Sequence, residues 1–194
     1  MKAPATLRTA RLLLRRPVAA DADAVFARFA SDADVTRYLS WRRHITLEDT
    51  RAFIAMSEAQ WDSSPAGPYL IERAEDGLLL GSTGLACDGP SRAETGYVLA
   101  RDAWGQGFAT EALQAMVELA PTVGVRRLYA LCHTEHAASA RVLEKCGFVR
   151  ERVLPRHVEF PNLAPGELAD VFCYVRRVGP LWRRLRSALF FSSP

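Results

Sequence analysis

Lysine is almost missing from this chain: of its 25 basic residues, all but Lys2 and Lys145 are arginine. The net charge is only +3, and acids stand among the arginines for most of the length. Such a balance argues for a compositional bias rather than a nucleic-acid surface. Cysteine is scarce. Cys87, Cys132, Cys146 and Cys173 show no Cys-x-x-Cys spacing, so reduced thiols are expected, with Cys132 and Cys173 packed within strands. A nucleophilic Cys132 beside His133 is disfavoured, because neighbours along a strand point to opposite faces. No apolar run approaches the ~18 residues that span a bilayer. No apolar signal segment follows Met1-Lys2-Ala3-Pro4-Ala5-Thr6, so a cytoplasmic protein without a membrane partner is expected. Internal repeats and low-complexity tracts are absent, and 194 residues suffice for one domain with a substantial core.

Against these absences stands one dense stretch, Ala93 to Leu119. Glu94-Thr95-Gly96-Tyr97-Val98-Leu99 reads as a strand. Trp104-Gly105-Gln106-Gly107-Phe108-Ala109 reads as a tight turn, and Thr110 to Met116 begins a helix. Glycines at 105 and 107 let backbone N–H groups approach a ligand, and the helix start favours an anion such as phosphate. Glu111 lies in the first helical turn, where an acid suits the dipole. A P-loop is excluded because no Gly-Lys-Ser/Thr follows the turn. A dinucleotide fingerprint is excluded because Thr110 stands where its third glycine would be. A bare Gly-x-Gly could also be a turn that needs glycine only for its own φ angles.

A second constellation raises the specificity. Arg127 to Cys132 has a strand pattern. Thr134 to Phe148 follows as a helix with Ala138, Val142, Leu143 and Cys146 at helical spacing, closed by Gly147 as a left-handed cap. Together the pieces Gly-Tyr-x-Leu, Trp-Gly-x-Gly-Phe-Ala-Thr-Glu-Ala and Ser-x-x-Val-Leu-Glu-Lys-x-Gly-Phe resemble the GNAT N-acetyltransferase superfamily, in its RimJ/RimL-like branch. Thr9 to Arg15 is similar to the first strand of that branch, and the resemblance spans about residues 6 to 178.

The rest of the chain fits a mixed α/β (α+β) architecture. Arg11 to Arg16 is expected as a strand, Asp21 to Ala30 as a helix, and Val35 to Trp41 as a bend or short helix. Thr46 or Leu47 to Trp61 is expected as a helix with Thr46 and Asp49 as its N-terminal box. Tyr69 to Arg73 and Leu78 to Leu85 form a hairpin around Glu75-Asp76-Gly77. Cys87 to Arg92 is read as a loop. Val149 to Leu154 and Asp170 to Arg177 are strands joined by a polar loop, Pro155 to Gly166. The resemblance implies a mostly antiparallel sheet of six to seven strands, splayed between its fourth and fifth, with about four helices. It also implies one domain over residues 1 to 178, followed by a basic tail. That tail has no acid after Asp170 and carries Leu181, Trp182, Leu185, Ala188 and Leu189 at one helical face. Docking on its own domain or a twin subunit is the favoured reading of the tail, and a membrane- or RNA-touching helix is the other.

Acetyl-CoA as donor and a primary amine as acceptor, reacting directly in a ternary complex, follow from the resemblance. It implies that the backbone from Gly105 through Gln106, Gly107, Phe108 and Ala109 to Thr110 takes the pyrophosphate, with the Thr110 hydroxyl added. Trp104 stands where the branch has a basic residue or Trp, so added charge would come from Arg101 or Arg141. The N–H of Val98 or Leu99 would bond the thioester oxygen, and one such donor is worth roughly 3 kcal/mol. Glu94 is the candidate base and Ser139 the candidate acid for the departing thiolate. His136 replaces the usual Asn and could donate to the pantetheine arm. His133 and His136 form a His-x-x-His without a third ligand, so no metal is expected.

The acceptor could be a protein N-terminus or a small amine such as a polyamine, aminoglycoside or amino-acid derivative. A non-catalytic acyl-CoA sensor is the reading from another class. The acceptor region is expected at Val35 to Trp61 and Pro155 to Gly166. Tyr38, Trp41, Trp61 and Phe160 stand there beside Glu48, Asp49, Glu58, Asp62 and Glu159, diluted by Arg37, Arg42, Arg43 and Arg156. No nucleic-acid partner is expected, and a homodimer is left open.

Overall fold

The computed structural model describes residues 1–179 of the 194. The predicted tail therefore lies outside the described residues, apart from its first glycine.

One eight-stranded sheet carries the structure. Its strands are β1 (Thr6–Arg8), β2 (Leu12–Arg15), β3 (Pro68–Arg73), β4 (Leu79–Gly89), β5 (Arg92–Leu99), β6 (Arg127–His133), β7 (Val149–Glu159) and β8 (Leu168–Arg177). Their order is β1-β2-β3-β4-β5-β6-β8-β7, antiparallel except for the β5–β6 pair. Two expectations change here. The sheet has eight strands rather than six to seven, because the three-residue β1 pairs with β2 and shifts the numbering by one. The fourth and fifth strands of the sequence reading are thus β5 and β6.

Two other boundaries move outwards. The loop expected at Cys87–Arg92 is the end of a hairpin, with β4 running to Gly89 and β5 starting at Arg92. The stretch read as loop from Pro155 begins inside β7, whose register shifts between Leu154 and Val158. Arg156 there has φ 45° and gives its N–H to the Asp170 carboxylate at 2.9 Å. β7 is the outer strand, where proline and a bulge are tolerated because one side of the backbone needs no partner.

Helices cover both faces. On one lie α1 (Ala22–Val25), α2 (Ala33–Thr36) and α3 (Leu47–Ser63); on the other, α4 (Phe108–Leu119) and α5 (Ala137–Lys145). Thr46 and Asp49 form the expected capping box of α3. Gly147, at φ 73°, closes α5, with the Phe148 N–H reaching back to the Leu143 carbonyl at 3.0 Å.

Each face has its own core. Leu113, Met116, Leu128 and Leu143 belong to the α4–α5 side, and Val25, Phe29, Ile54 and Leu70 to the α1–α3 side. β5 contributes alternately to both. Ala93, Tyr97 and Leu99 pack on the α4–α5 side, whereas Val98 packs on the other. By the same alternation Glu94 and Gly96 look to the α1–α3 side. The strand at the sheet's centre thus presents two different chemistries.

Candidate functional site

The parallel pairing of β5 with β6 covers only Arg92 to Glu94 against Arg127 to Tyr129. Beyond Glu94 the strands diverge and the edge of β5 opens. Which peptides face the opening follows from one bond: the Ala100 N–H donates to the Leu80 carbonyl across β4 at 2.7 Å. Antiparallel residues alternate between facing the partner and facing away. Val98 therefore turns its peptide groups to β4, while Tyr97 and Leu99 turn theirs to the opening. Two observations agree. The Val98 carbonyl oxygen occupies the space a Cβ on Gly81 of β4 would need. The Leu99 carbonyl instead accepts the Trp104 indole N–H at 2.8 Å. Of the pair Val98 and Leu99, geometry thus favours Leu99 as an outward donor and adds Tyr97, which the sequence reading did not consider.

The turn after β5 is braced at Asp102. Arg28 grips Asp102 with both terminal nitrogens, at 2.8 and 2.9 Å, and the Gln106 side chain bonds the Asp102 carbonyl at 2.7 Å. Gly105 and Gly107 have φ of 74° and 82°, which L side chains adopt with strain. Gly107 caps α4 without a side-chain partner for the first N–H groups, so they are left for an anion. Phe108 is buried in the core and offers only its backbone. Ala109 and Thr110 are half-buried in the first turn.

Beside Arg101 and Arg141, the structure brings a third arginine to the turn. Arg101 is committed to ion pairs with Asp32 and Asp34. Arg141 is exposed on α5. Arg11 is the cation at the turn: its guanidinium donates to the Gln106 carbonyl at 3.0 Å, lies 4.5 Å from the Phe108 ring centre and comes within 3.4 Å of a Cβ position on Gly107. Glu111 holds it, taking Arg11 Nε at 2.7 Å, the Arg11 N–H at 2.8 Å and the Thr9 hydroxyl at 2.6 Å. The dipole role expected of Glu111 is thereby joined by a clamp on the start of β2. Replacing Arg11 by Gln should raise the KM for acetyl-CoA by roughly tenfold, the equivalent of one charge-assisted bond, and leave kcat near wild type. Steady-state kinetics with acetyl-CoA as the varied substrate check this.

Glu94 is half-buried, and burial pushes its carboxyl above the usual glutamate range. The groups that bear on its charge are Tyr129, Asp88 and His157, none of them an arginine. A solvated, arginine-paired carboxylate therefore does not describe it. Ser139 lies across β5 on the other face. The Tyr97 hydroxyl points at Ser139 Oγ at 3.4 Å and, pushed up to about 12 by burial, keeps its proton. Its direction leaves the Ser139 proton available to a third group. Cys132 neighbours the same hydroxyl, but burial raises its thiol above the ordinary value, so it stays protonated.

His136 caps α5 by backbone alone, and its ring stacks on Tyr38 with centres 4.6 Å apart. Burial and the nearby His133 lower its pKa, so it is neutral at physiological pH. His133 is buried, meets Tyr38 and Phe160 at 5.1 and 4.9 Å, and accepts the Glu135 N–H on Nδ1 at 3.1 Å. Among the described residues no cluster of three metal-ligating side chains exists.

Tyr38 and Phe160, from opposite ends of the expected acceptor region, thus both pack on His133 at the end of β6. Asn162 ties these segments, donating to the Thr36 and Trp41 carbonyls at 2.8 Å and accepting the Arg43 N–H at 2.8 Å. Trp61 does not join them. It is buried, bonds the Pro68 carbonyl and packs edge-on against Tyr69. Two surface concavities elsewhere, one lined by Val117, Pro121 and Val178 and one by Val149 and Val175, contain none of these residues.

An open sheet edge beside a helix start with free N–H groups is the shape an extended ligand ending in an anion would fit, and sequence comparison gives the family. Residues 11–149 match the acetyltransferase (GNAT) domain family, so the chain belongs to it and is an acetyl-CoA-dependent N-acetyltransferase. The N-acetyltransferase YoaA of Bacillus subtilis is 33% identical over 155 residues, which cover 78% of this chain and 87% of YoaA. A GNAT-family acetyltransferase structure from Bacillus anthracis superposes with TM-score 0.77 at 26% identity, covering 89% of this chain and 98% of its own. The ribosomal L7/L12 α-N-protein acetyltransferase RimL, solved with coenzyme A, superposes with TM-score 0.77 at 23% identity, over 89% of this chain and 98% of RimL, a likeness of fold. No described helix is long and apolar enough to cross a membrane.

Proposed function

We propose that the chain acetylates the α-amine of a peptide or protein N-terminus in the cytoplasm, by direct attack of the amine on acetyl-CoA in the opening between β5 and β6. The observation that carries this reading is the division of β5: Glu94 looks to one face and Tyr97, beside Ser139, to the other, with an open edge between them. An acyl group held on that edge has a base on its acceptor side and a proton donor on its thiol side.

Glu94, with its raised pKa, takes the proton from the incoming ammonium. The Leu99 and Tyr97 N–H groups serve the pantetheine amide and the thioester oxygen, as an added strand would be served. Ser139 gives its proton to the departing sulfur while the Tyr97 hydroxyl holds its oxygen, and the second proton shed by the nitrogen as the amide forms restores the serine hydroxyl, so coenzyme A leaves as the thiol. The N–H groups at Gly105 to Thr110, with Arg11 behind them, take the pyrophosphate.

The acceptor is read from charge. Most acids on the acceptor side are already engaged: Asp32 and Asp34 by Arg101, Glu48 by Arg51, Asp49 by the α3 cap, Asp62 by Arg16 and Glu159 by the Gly166 N–H, which leaves Glu58. The wall is the aromatic row Tyr38, His136, His133 and Phe160. A polycation finds few free carboxylates there, whereas a singly charged amine on an apolar neighbour fits. RimL, a ribosomal L7/L12 α-N-protein acetyltransferase, has an acceptor of that kind. Gly96 keeps the acceptor side open, since a Cβ there would meet no atom within 4 Å. Gly96→Val should cut kcat/KM for the acceptor by more than about tenfold with acetyl-CoA affinity unchanged, as calorimetry and rate assays would report.

Labelled acetyl-CoA, the full chain and a heat-cleared extract test the reading. Label in the macromolecular fraction that blocks Edman degradation and is recovered on N-terminal peptides supports it. Label in small molecules replaces the acceptor by a metabolic amine. Cofactor binding with no label anywhere leaves a sensor and overturns transfer.

A further inference from the structure

We propose that Tyr129 and Asp88 form the proton exit of Glu94, carrying the acceptor's proton from the opening to solvent while both substrates are in place. The inference rests on the reading of Glu94 as base and concerns what happens after it has taken a proton.

Glu94 and Tyr129 are register partners across the last paired rung of the β5–β6 ladder, immediately before the strands separate. The Tyr129 oxygen is 3.5 Å from Glu94 Oε2 and 2.8 Å from Asp88 Oδ2. One hydroxyl donates one proton, and the shorter contact takes it: Tyr129 donates to Asp88. Its lone pairs are left facing Glu94, at a distance that shortens when a protonated Glu94 becomes a donor. Asp88 lies near the β4–β5 turn at the surface, with Arg92 on its carboxylate at 2.8 and 3.0 Å. The Arg92 guanidinium also stands 5.6 Å from the Tyr129 ring centre. The row therefore runs from a half-buried carboxyl through a phenol to an ionised, solvent-reaching carboxylate.

The step balances. The acceptor ammonium loses a proton to Glu94. The Glu94 O–H passes its proton to the Tyr129 oxygen, the Tyr129 O–H passes its own to Asp88, and Asp88 releases it to water. The row ends as it began, with Glu94 and Asp88 ionised and Tyr129 neutral. Direct loss of the proton into the opening would require water where the acceptor and the acyl group sit. Charged and titratable groups facing Glu94 are Asp88 from β4, Tyr129 from β6 and His157 from β7. His157 is exposed and bears on Glu94 by charge alone, so the hydrogen-bonded route leads through Tyr129.

The test uses full-length Tyr129→Phe, Asp88→Asn and Glu94→Gln, acetyl-CoA, and a short peptide with a free N-terminus. We expect Tyr129→Phe and Asp88→Asn to lower kcat roughly tenfold, as loss of one charge-assisted bond would, with acetyl-CoA affinity intact. A small diffusible base such as imidazole should restore part of the loss. The acid limb of the Tyr129→Phe profile should shift, since the phenol oxygen stands directly against the Glu94 carboxyl. Tyr129→Phe added to Glu94→Gln should cost nothing more. The proposal is overturned by unchanged kcat and acid limb in Tyr129→Phe, or by a loss that imidazole leaves untouched and that adds fully to Glu94→Gln. Wild-type turnover in Glu94→Gln itself would instead remove the base, a separate failure.

Discussion

Glu94→Gln is expected to lose acetyl transfer by about 10²–10⁴-fold, the usual worth of a positioned base, while binding acetyl-CoA as the wild type does. The two outcomes separate because the side chain looks away from the α4–α5 face on which Tyr97 and Ser139 stand. The variant should also fold well. Glu94's pKa is raised in the folded chain, so folding takes up protons between its unfolded value and the raised one. Stability contributed by this group therefore falls as pH rises through that window. Gln resembles the protonated form, so at neutral pH it should hold or raise the Tm. A calorimetric scan beside a thiol-release assay would read both. Loss of turnover with a lowered Tm would point to damage rather than to chemistry. In the wild type, activity should fall on the acid side as Glu94 becomes protonated, with a midpoint above that of an ordinary glutamate.

Gly81→Ala is the second large effect, and it acts through the backbone. A Cβ at this position would stand 2.0 Å from the Val98 carbonyl oxygen and 2.9 Å from Leu99 Cα and the Val98 carbonyl carbon. None of these atoms belongs to a side chain that can swing aside, so β5 itself must move. Overpacking of this kind costs about 2–3 kcal/mol, which for a chain of this size lowers Tm by roughly 5–10 °C. The Leu99 N–H would be carried with the strand, so kcat should fall and the KM for acetyl-CoA rise. Gly89→Ala is the control, because a Cβ there meets nothing within 4 Å; it should change neither. Equal Tm values for the two variants would show that β5 is not held against Gly81.

The central elements were legible because their signals are local. Gly105, Gly107 and Gly147 announce positive φ, and all three have it. Thr46 and Asp49 announce a helix start four residues long, and both bonds form. The family resemblance added the order of the pieces, and the family match agrees. What escaped was set by contacts far apart in the chain. Arg11 reaches the turn at Gln106 across 95 residues, and no spacing rule connects them. Trp61 looked like part of an acceptor wall, yet its indole satisfies the Pro68 carbonyl inside the core. Conversely Arg101, an apparent phosphate partner, is taken by Asp32 and Asp34 from α2 and its cap. β7 was cut short because a proline and several charges read as loop, which an outer strand accommodates. The choice between Val98 and Leu99 needed the ladder phase, and that phase is fixed by a bond outside the strand, from Ala100 to Leu80.

A crystal structure with coenzyme A tests the account most directly. The prediction is a pyrophosphate on the N–H groups of Gly105 to Thr110, beside Arg11. The pantetheine should lie along β5, bonded to the Leu99 peptide, and the thiol within hydrogen-bond reach of Ser139 in the opening towards β6. Coenzyme A seated elsewhere, as in the concavity lined by Val117, Pro121 and Val178, or with its thiol remote from Ser139, would contradict it.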